Sequence, residues 1–337
     1  MKKILIQSVL VVVVLALAAL YLFYNRYNNF LLSPVFHQVP VTLDIKKGSN
    51  YTDFISLLKS KGGKGELWQW KLLARLNPDQ SQIKAGEFEI VKRSTPRELL
   101  AYIDGNNVKS YQYTLIEGLT WKTIKSELFE APMKHVLIDM SDEQLMSKLS
   151  IDAPSLEGQF LPETYQFVKG DSDLSVMKRS HQALKEVLAD AWSSRSEKVK
   201  LKTPYELLIL ASIIEKETAV ASERTTISGV FHRRLLKGMK LQTDPTVIYG
   251  VGEDYAGDIT RAHLKTDTPY NTYTRKGLPP TPIAMASEAS IRAAAQPKDG
   301  KALYFVANGL GGHTFSNTYD EHLKAVKKYL RAQRNKP

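Results

Sequence analysis

The segment TPYELLILASIIEKET, residues 203–218, is the part of the chain that most strongly constrains the fold. Thr203 is a good helix N-cap, Pro204 suits the first helical position, and Glu206 completes the spacing of a capping box. Residues 207–214 are apolar on every face apart from Ser212, and a helix that is apolar all round lies inside a core. The segment therefore predicts a buried central helix with other elements packed around it.

The buried run ends at Glu215, which has Leu208, Ala211 and Ser212 behind it on one stripe of the helix. Loss of hydration and the negative end of the helix dipole both raise the pKa of a carboxyl group there. A raised pKa suits a general acid at neutral pH. Helical spacing leaves two alternatives open: Glu215 emerges into solvent as an ordinary surface residue, or Glu217 is the chemically important carboxyl group.

Three polar clusters follow this helix in sequence. They are KLQTDPTVIYG at residues 240–250, TPYNTY at 268–273 and GLPP at 277–280. Amides, hydroxyls and aromatic faces are the groups from which a sugar-binding site is built, as a few polar groups fix orientation within a largely apolar pocket. The alternative is a set of Asx-turns and proline turns with no ligand.

The N-terminal segment predicts a membrane anchor. Residues 4–24 are apolar except for Gln7 and Ser8, and about 20 such residues cross the hydrocarbon core as a helix. The competing interpretation is a signal peptide cleaved after Ala18, but the apolar run continues past that point. Lys2 and Lys3 precede the span and favour a cytoplasmic N-terminus, so the remaining chain is expected on the periplasmic side.

Periodicity and turn residues predict an α+β fold in four parts. We expect a cytoplasmic tip and transmembrane helix at 1–25, a juxtamembrane linker at 26–40, a module of order βααβ at 41–105, and a larger mixed α+β domain at 106–337. In its element order and its leading KKGSNYTDF segment the module resembles the LysM module of glycan-binding proteins. Within the last part, residues 155–167 (SLEGQFLPETYQF) are expected to form a structured loop. Residues 303–307 and the glycine-rich GLGGH that follows predict a hairpin or the rim of an active site.

Composition excludes several classes of function. The chain has no cysteine, so it has neither disulfides nor thiolate metal sites, and its seven histidines show no HExxH spacing. No P-loop or GxSxG motif is present, and we expect no metal and no cofactor. A net charge of +11 is compatible with binding to nucleic acid. Because the chain is expected outside the cytoplasm, anionic lipid headgroups or the anionic cell wall are better candidates for a partner.

These segments, in this order, resemble the YceG-like endolytic murein transglycosylases. The resemblance rests on the anchor, SLEGQFLPETYQF, LASIIEKETAVASE, GMKLQTDPTVIYG, YNTY, GLPPTPIA and LYFVANGLGGHTFS, and it covers essentially the whole chain. It implies a single-pass inner-membrane lyase that cuts nascent peptidoglycan between N-acetylmuramic acid and N-acetylglucosamine, leaves 1,6-anhydro ends and so terminates glycan elongation. It also implies penicillin-binding synthases as partners, and it places the motif's glutamate on Glu215.

Glu215 is accordingly the predicted catalytic acid/base. Two other functions stay open: a wall-binding protein without activity, and a hydrolase that uses Glu215 with Asp244 and water. The side chains expected to orient the sugar are Gln242, Thr243, Asp244, Tyr249, Asn271 and Tyr273, with Glu163 as a further candidate.

Overall fold

The structure is a computed structural model that describes residues 2–80 and 82–334. It confirms the predicted α+β class. The helices are α1 (Lys2–Leu32), α2 (Tyr51–Ser60), α3 (Leu67–Leu76), α4 (Pro96–Asp104), α5 (Trp121–Leu128), α6 (Asp142–Leu149), α7 (Asp173–Ser193), α8 (Pro204–Glu217), α9 (Arg224–Leu236), α10 (Asp244–Val251), α11 (Arg261–Lys265), α12 (Glu288–Ala295) and α13 (Tyr319–Arg334). The strands are β1 (Val41–Ile45), β2 (Gly86–Ile90), β3 (Ser110–Thr114), β4 (Thr164–Val168), β5 (Tyr304–Ala307) and β6 (His313–Ser316).

The chain divides into two compact units. The first runs to Tyr111 and includes residues 168–170, and the second consists of residues 112–167 and the chain from Asp171 onward. The predicted boundary between residues 105 and 106 lies a few residues before this division, and the ends predicted at residue 1 and at 335–337 lie outside the described residues. In the first unit β1 pairs antiparallel with β2, and α2 and α3 lie between them in sequence. The predicted βααβ order is therefore present, while the likeness to LysM stays a prediction.

The N-terminal helix α1 extends beyond residue 25, where the predicted transmembrane part ends, to Leu32. Among the described residues, the helix long and apolar enough to cross a membrane is Lys3–Leu32. Residues 26–40, predicted as a linker, are instead helical as far as Leu32, and Phe30, Val35 and Phe36 are buried in the core of the first unit. Phe30 packs edge-on against Trp70, with ring centroids 5.1 Å apart. The sequence prediction gave weight to the polar residues and prolines of this stretch, and so it did not identify the apolar residues that pack in the core.

Helix α8 is the centre of the second unit. It packs against α7, α9, α10 and α12, and residues 207–214 are buried, as its sequence predicts. The Thr203 hydroxyl accepts a hydrogen bond from the Glu206 backbone N–H at 3.1 Å. The Glu206 carboxylate accepts from the Lys202 N–H instead of completing the predicted capping box with Thr203.

Two segments differ from their predicted structure. The last part of the predicted loop at 155–167 forms β4, which pairs with β3. Residues 244–250 of the polar KLQTDPTVIYG segment form α10 together with Val251, because Pro245 fits the first turn of a helix and apolar residues follow it. The predicted hairpin is present: β5 pairs antiparallel with β6, from Tyr304 opposite Ser316 to Ala307 opposite His313.

Candidate active site

The C-terminal turn of α8 presents two glutamates in different directions, since residues two apart on a helix do not share a face. Glu215 is buried, with 5% of its side chain exposed. Its Oε2 accepts hydrogen bonds from the backbone N–H of Ser287, at 2.9 Å, and from the Ser287 hydroxyl. An Arg224 guanidinium nitrogen lies 3.9 Å from Oε1. Glu215 is thus buried as expected, but its oxygens have polar partners instead of purely apolar surroundings.

Glu217 faces a cleft of 450 Å³ that Glu215 does not line. Its carboxylate accepts a hydrogen bond from the Thr243 hydroxyl. Burial raises the pKa of Glu217 to about 7; the neighbouring Asp244 charge adds to this, and Arg234 and His313 oppose it. A carboxyl group with this pKa is protonated in a large fraction of molecules at neutral pH. Glu217 therefore has the property that the sequence argument expected of Glu215.

The cleft combines polar and aromatic walls. Four of the predicted sugar-binding residues line it: Gln242, Thr243, Asp244 and Tyr273. The remaining lining residues come from α8, α9, the loop between α9 and α10, the β5–β6 hairpin and α13, namely Glu217, Arg234, Leu241, Tyr304, Phe305, Val306, Ala307, His313, Tyr319, His322 and Val326. The structure thus brings LQTDP, YNTY and the hairpin together, although Leu241 and His313 are 72 residues apart in sequence.

Local contacts hold the polar wall in place. The Thr243 backbone N–H donates to the Thr272 hydroxyl at 3.1 Å, and the Tyr273 hydroxyl donates to the Asp244 carboxylate. Burial and this contact with Asp244 raise the pKa of Tyr273. Gln242 lies in the left-handed region, with φ of 50°, which is unusual for a residue other than glycine, asparagine or aspartate. Strained backbone of this kind occurs preferentially at functional sites.

The other predicted sugar-binding residues lie outside the lining of this cleft. Asn271 is buried, and its amide nitrogen donates to the backbone carbonyls of His263, Leu264 and Thr266, so it organises its own loop. Tyr249 donates to the Glu157 carboxylate at 3.1 Å. Glu163 is exposed, and its carboxylate accepts from the neighbouring Thr164 N–H. Sugar contacts by these three stay predictions that the cleft geometry does not support.

Sequence reasoning missed Glu157, the buried carboxyl group of the SLEGQF segment. It accepts hydrogen bonds from the Trp121 N–H at 3.1 Å and from the Tyr249 hydroxyl. Burial raises the pKa of Glu157 to about 7, although these hydrogen bonds act against the rise. A glutamate between apolar residues and glycine in a loop is a weak signal, because only the fold shows that the loop is buried.

The sequence matches the YceG-like family over residues 43–328. The chain belongs to this family. A Bacillus subtilis (strain 168) protein named endolytic murein transglycosylase is 30% identical over 334 residues, which cover 92% of this chain and 91% of that protein. Because the alignment covers 92% of this YceG-like chain, the similarity includes both of its units.

A protein of the same name from Streptococcus pneumoniae serotype 2 (strain D39) is 26% identical over 330 residues, which cover 88% of this chain and 59% of that protein. Among solved structures, a yceG-like protein from Listeria monocytogenes superposes with a TM-score of 0.54 at 28% sequence identity. The superposition covers 84% of this YceG-like chain and 98% of the Listeria chain. The family assignment therefore has support from structure as well as sequence.

Proposed function

We propose that this YceG-like chain is an endolytic murein transglycosylase, a lyase that cuts within nascent peptidoglycan strands. The bond cut is the β-1,4 linkage between N-acetylmuramic acid and N-acetylglucosamine, and the product carries a 1,6-anhydro-muramic acid end that terminates elongation. One observation carries the proposal: a carboxyl group with a pKa of about 7, Glu217, lies on the wall of a polar and aromatic cleft. The names of the curated relatives agree with it.

Glu217 supplies the acid of this reaction. Protonated Glu217 donates its proton to the glycosidic oxygen as the C1–O4 bond breaks and positive charge develops at C1 of the muramic acid. The 6-hydroxyl of the same sugar then bonds to C1 and releases its proton to the Glu217 carboxylate. The carboxyl group is regenerated, and the reaction needs neither water nor a second carboxylate nucleophile.

The polar wall orients the sugar for this sequence of steps. The Thr243 hydroxyl holds the Glu217 carboxyl group, and Gln242, Asp244 and Tyr273 present amide, carboxylate and hydroxyl groups to the cleft. A hydrolase that uses Asp244 and water is the competing reaction, because Asp244 also lines the cleft. The two reactions give different ends, so the products distinguish them.

Glu215 is the acid/base that the family resemblance implies, and this assignment stays a prediction beside Glu217. The contacts of Glu215 suggest a different task. Its carboxylate accepts hydrogen bonds from the backbone N–H and the hydroxyl of Ser287, and the same hydroxyl caps the start of α12. Glu215 therefore connects α8 to α12. We therefore give Glu217 the reacting role and Glu215 a structural one.

A matched pair of variants tests this choice. Glu217→Gln and Glu215→Gln are prepared in the full-length protein in detergent and incubated with purified peptidoglycan, and the ends are identified by mass spectrometry. We expect anhydro-muramic ends from the wild type and a loss of about 10²- to 10⁴-fold in rate for Glu217→Gln, the usual contribution of a general acid. Glu215→Gln should keep most of the wild-type activity per folded molecule.

Each other result has a definite meaning. Loss with Glu215→Gln alone, in a protein that unfolds at the wild-type temperature, returns the acid/base role to Glu215. Reducing ends identify a hydrolase, and absence of cleavage by the wild type identifies a wall-binding protein.

We also propose the location that the sequence predicts. The α1 helix anchors the chain in the inner membrane with its N-terminus in the cytoplasm, and the cleft faces the periplasm. Nascent peptidoglycan is on that side. A penicillin-binding synthase as partner stays a prediction, and no nucleic acid partner is proposed.

A further inference from the structure

His313, the first residue of β6, is held in one orientation at the edge of the cleft. Its Nδ1 lies 2.6 Å from Oε2 of Glu223, and its backbone N–H donates to Oε1 at 2.8 Å. The Phe305 ring packs at 90° to the imidazole, with centroids 5.3 Å apart. Both polar side chains are about 15% exposed, so the pair is largely shielded from solvent. Backbone, carboxylate and aromatic ring together fix the plane of the imidazole.

The glycine-rich tip of the hairpin makes this contact possible. A Cβ at Gly312 would lie 2.6 Å from Oε1 of Glu223 and would displace the carboxylate from His313. The GGH sequence is therefore matched to Glu223, which comes 90 residues earlier in the chain. The hairpin predicted for this segment is present, and its residues Phe305 and His313 line the cleft.

The proton position on His313 follows from its partner. The hydrogen bonds from His313 outweigh the effect of burial and lower the pKa of Glu223, so its carboxylate is an acceptor. Nδ1 must then carry the hydrogen. In the neutral imidazole this leaves Nε2 with a free lone pair, on the ring edge away from Glu223. Nε2 makes no hydrogen bond to any residue in the described part of the chain.

His313 and Glu217 share the cleft. Both side chains line it. Nε2 is an acceptor fixed at this place without a partner among residues 2–80 and 82–334, while the saccharide proposed to occupy the cleft carries several hydroxyl donors. A carboxylate behind a histidine is a common way to orient an imidazole for a ligand.

We propose that His313 is a substrate-contacting residue, whose Nε2 accepts a hydrogen bond from a hydroxyl group of the murein sugar bound at Glu217. Glu223 is the positioning residue that sets the ring and its tautomer. This inference rests on the proposed function, because it takes the ligand of the cleft to be a saccharide.

Two substitutions separate substrate contact from a purely structural role. In His313→Asn the amide nitrogen takes the position of Nδ1, so the hydrogen bond to Glu223 is kept. The shorter side chain does not reach the position of Nε2, so the contact in the cleft is lost. In His313→Gln the amide reaches the position of Nε2, so the cleft contact persists and the contact with Glu223 is lost. A residue that only anchors the hairpin would tolerate Asn better, whereas a substrate contact tolerates Gln better.

We measure kcat, KM and the unfolding temperature of both full-length variants on purified peptidoglycan. The expected result is a loss of about tenfold in kcat/KM for His313→Asn, the size of one hydrogen bond, with a smaller loss for His313→Gln. Activity of the Asn variant equal to or above that of the Gln variant overturns the proposal.

A binding measurement keeps the inference independent of turnover. Glu217→Gln and the double variant Glu217→Gln/His313→Asn are mixed with purified sacculi, and the bound fraction is determined by sedimentation. The double variant should bind about tenfold more weakly. Equal binding overturns the role of His313, whereas failure of the proposed reaction shows separately as missing anhydro ends from the wild type.

Discussion

Removing the charge from Glu157 should make the protein more stable at alkaline pH. This carboxyl group is buried, with Trp121 N–H and the Tyr249 hydroxyl as donors, and burial raises its pKa from 4.5 to about 7. Between these two values the folded state binds more protons than the unfolded chain. Stability contributed by the neutral group is therefore present at low pH and is lost as the pH rises through this range.

The size of the effect follows from the pKa difference. Each pKa unit corresponds to about 1.4 kcal/mol, so the ionisable Glu157 costs about 3 kcal/mol at pH 8 and less than about 1 kcal/mol at pH 5. Glu157→Gln retains a carbonyl oxygen for the Trp121 N–H and has no charge to bury. In a unit of this size, 1 kcal/mol changes the unfolding temperature by about 2–4 °C, which gives about 6–12 °C at pH 8.

The assay compares unfolding temperatures of full-length wild type and Glu157→Gln at pH 5 and pH 8 in the same detergent. The difference between variant and wild type should be larger at pH 8, whatever constant effect the amide has on packing. The control is Glu163→Gln, because Glu163 is an exposed carboxyl group near Glu157 in sequence. Its difference in unfolding temperature from the wild type should be the same at both pH values. A Glu157→Gln curve parallel to that of the wild type would refute the reasoning.

Three further predictions concern the cleft and the core. With Glu217 as acid, wild-type kcat/KM should fall about tenfold per pH unit above about pH 7, as the carboxyl group loses its proton; a profile level to pH 9 contradicts that role. Because the Thr243 hydroxyl lowers the pKa of Glu217, Thr243→Val should move this fall to higher pH while Thr243→Ser leaves it in place, as the same pH series shows. Ile213→Ala should reduce the free energy of unfolding by about 2–5 kcal/mol in denaturant titrations, whereas the exposed Lys216→Ala should change it little.

The central helix shows where local sequence suffices. Thr203, Pro204 and the apolar run at 207–214 predict a capped and buried helix, and α8 has these bounds and this burial. Apolar periodicity is enough here because a helix without a polar face has no stable place except a core. The end of the same helix is different. Glu215 and Glu217 have equally apolar residues behind them, and spacing alone does not separate them.

Only tertiary structure distinguishes the two carboxyl groups, since their partners come from distant parts of the chain. Glu217 meets Thr243, whereas Glu215 meets Ser287, 72 residues away. The same holds for His313, whose carboxylate partner lies 90 residues earlier. The pKa of a buried group depends on the atoms around it, and these are set by packing and not by sequence neighbours.

The sequence by itself determined an apolar N-terminal helix of membrane-spanning length, the α+β class, the central helix, the family and most of the polar cleft wall, because each depends on local pattern or on similarity over a long stretch of sequence. The tertiary structure decided which glutamate faces the cleft, which polar residues merely hold loops together, and that Glu157 is buried. Those outcomes depend on long-range contacts and on exclusion of water, and neither is a property of a segment in isolation.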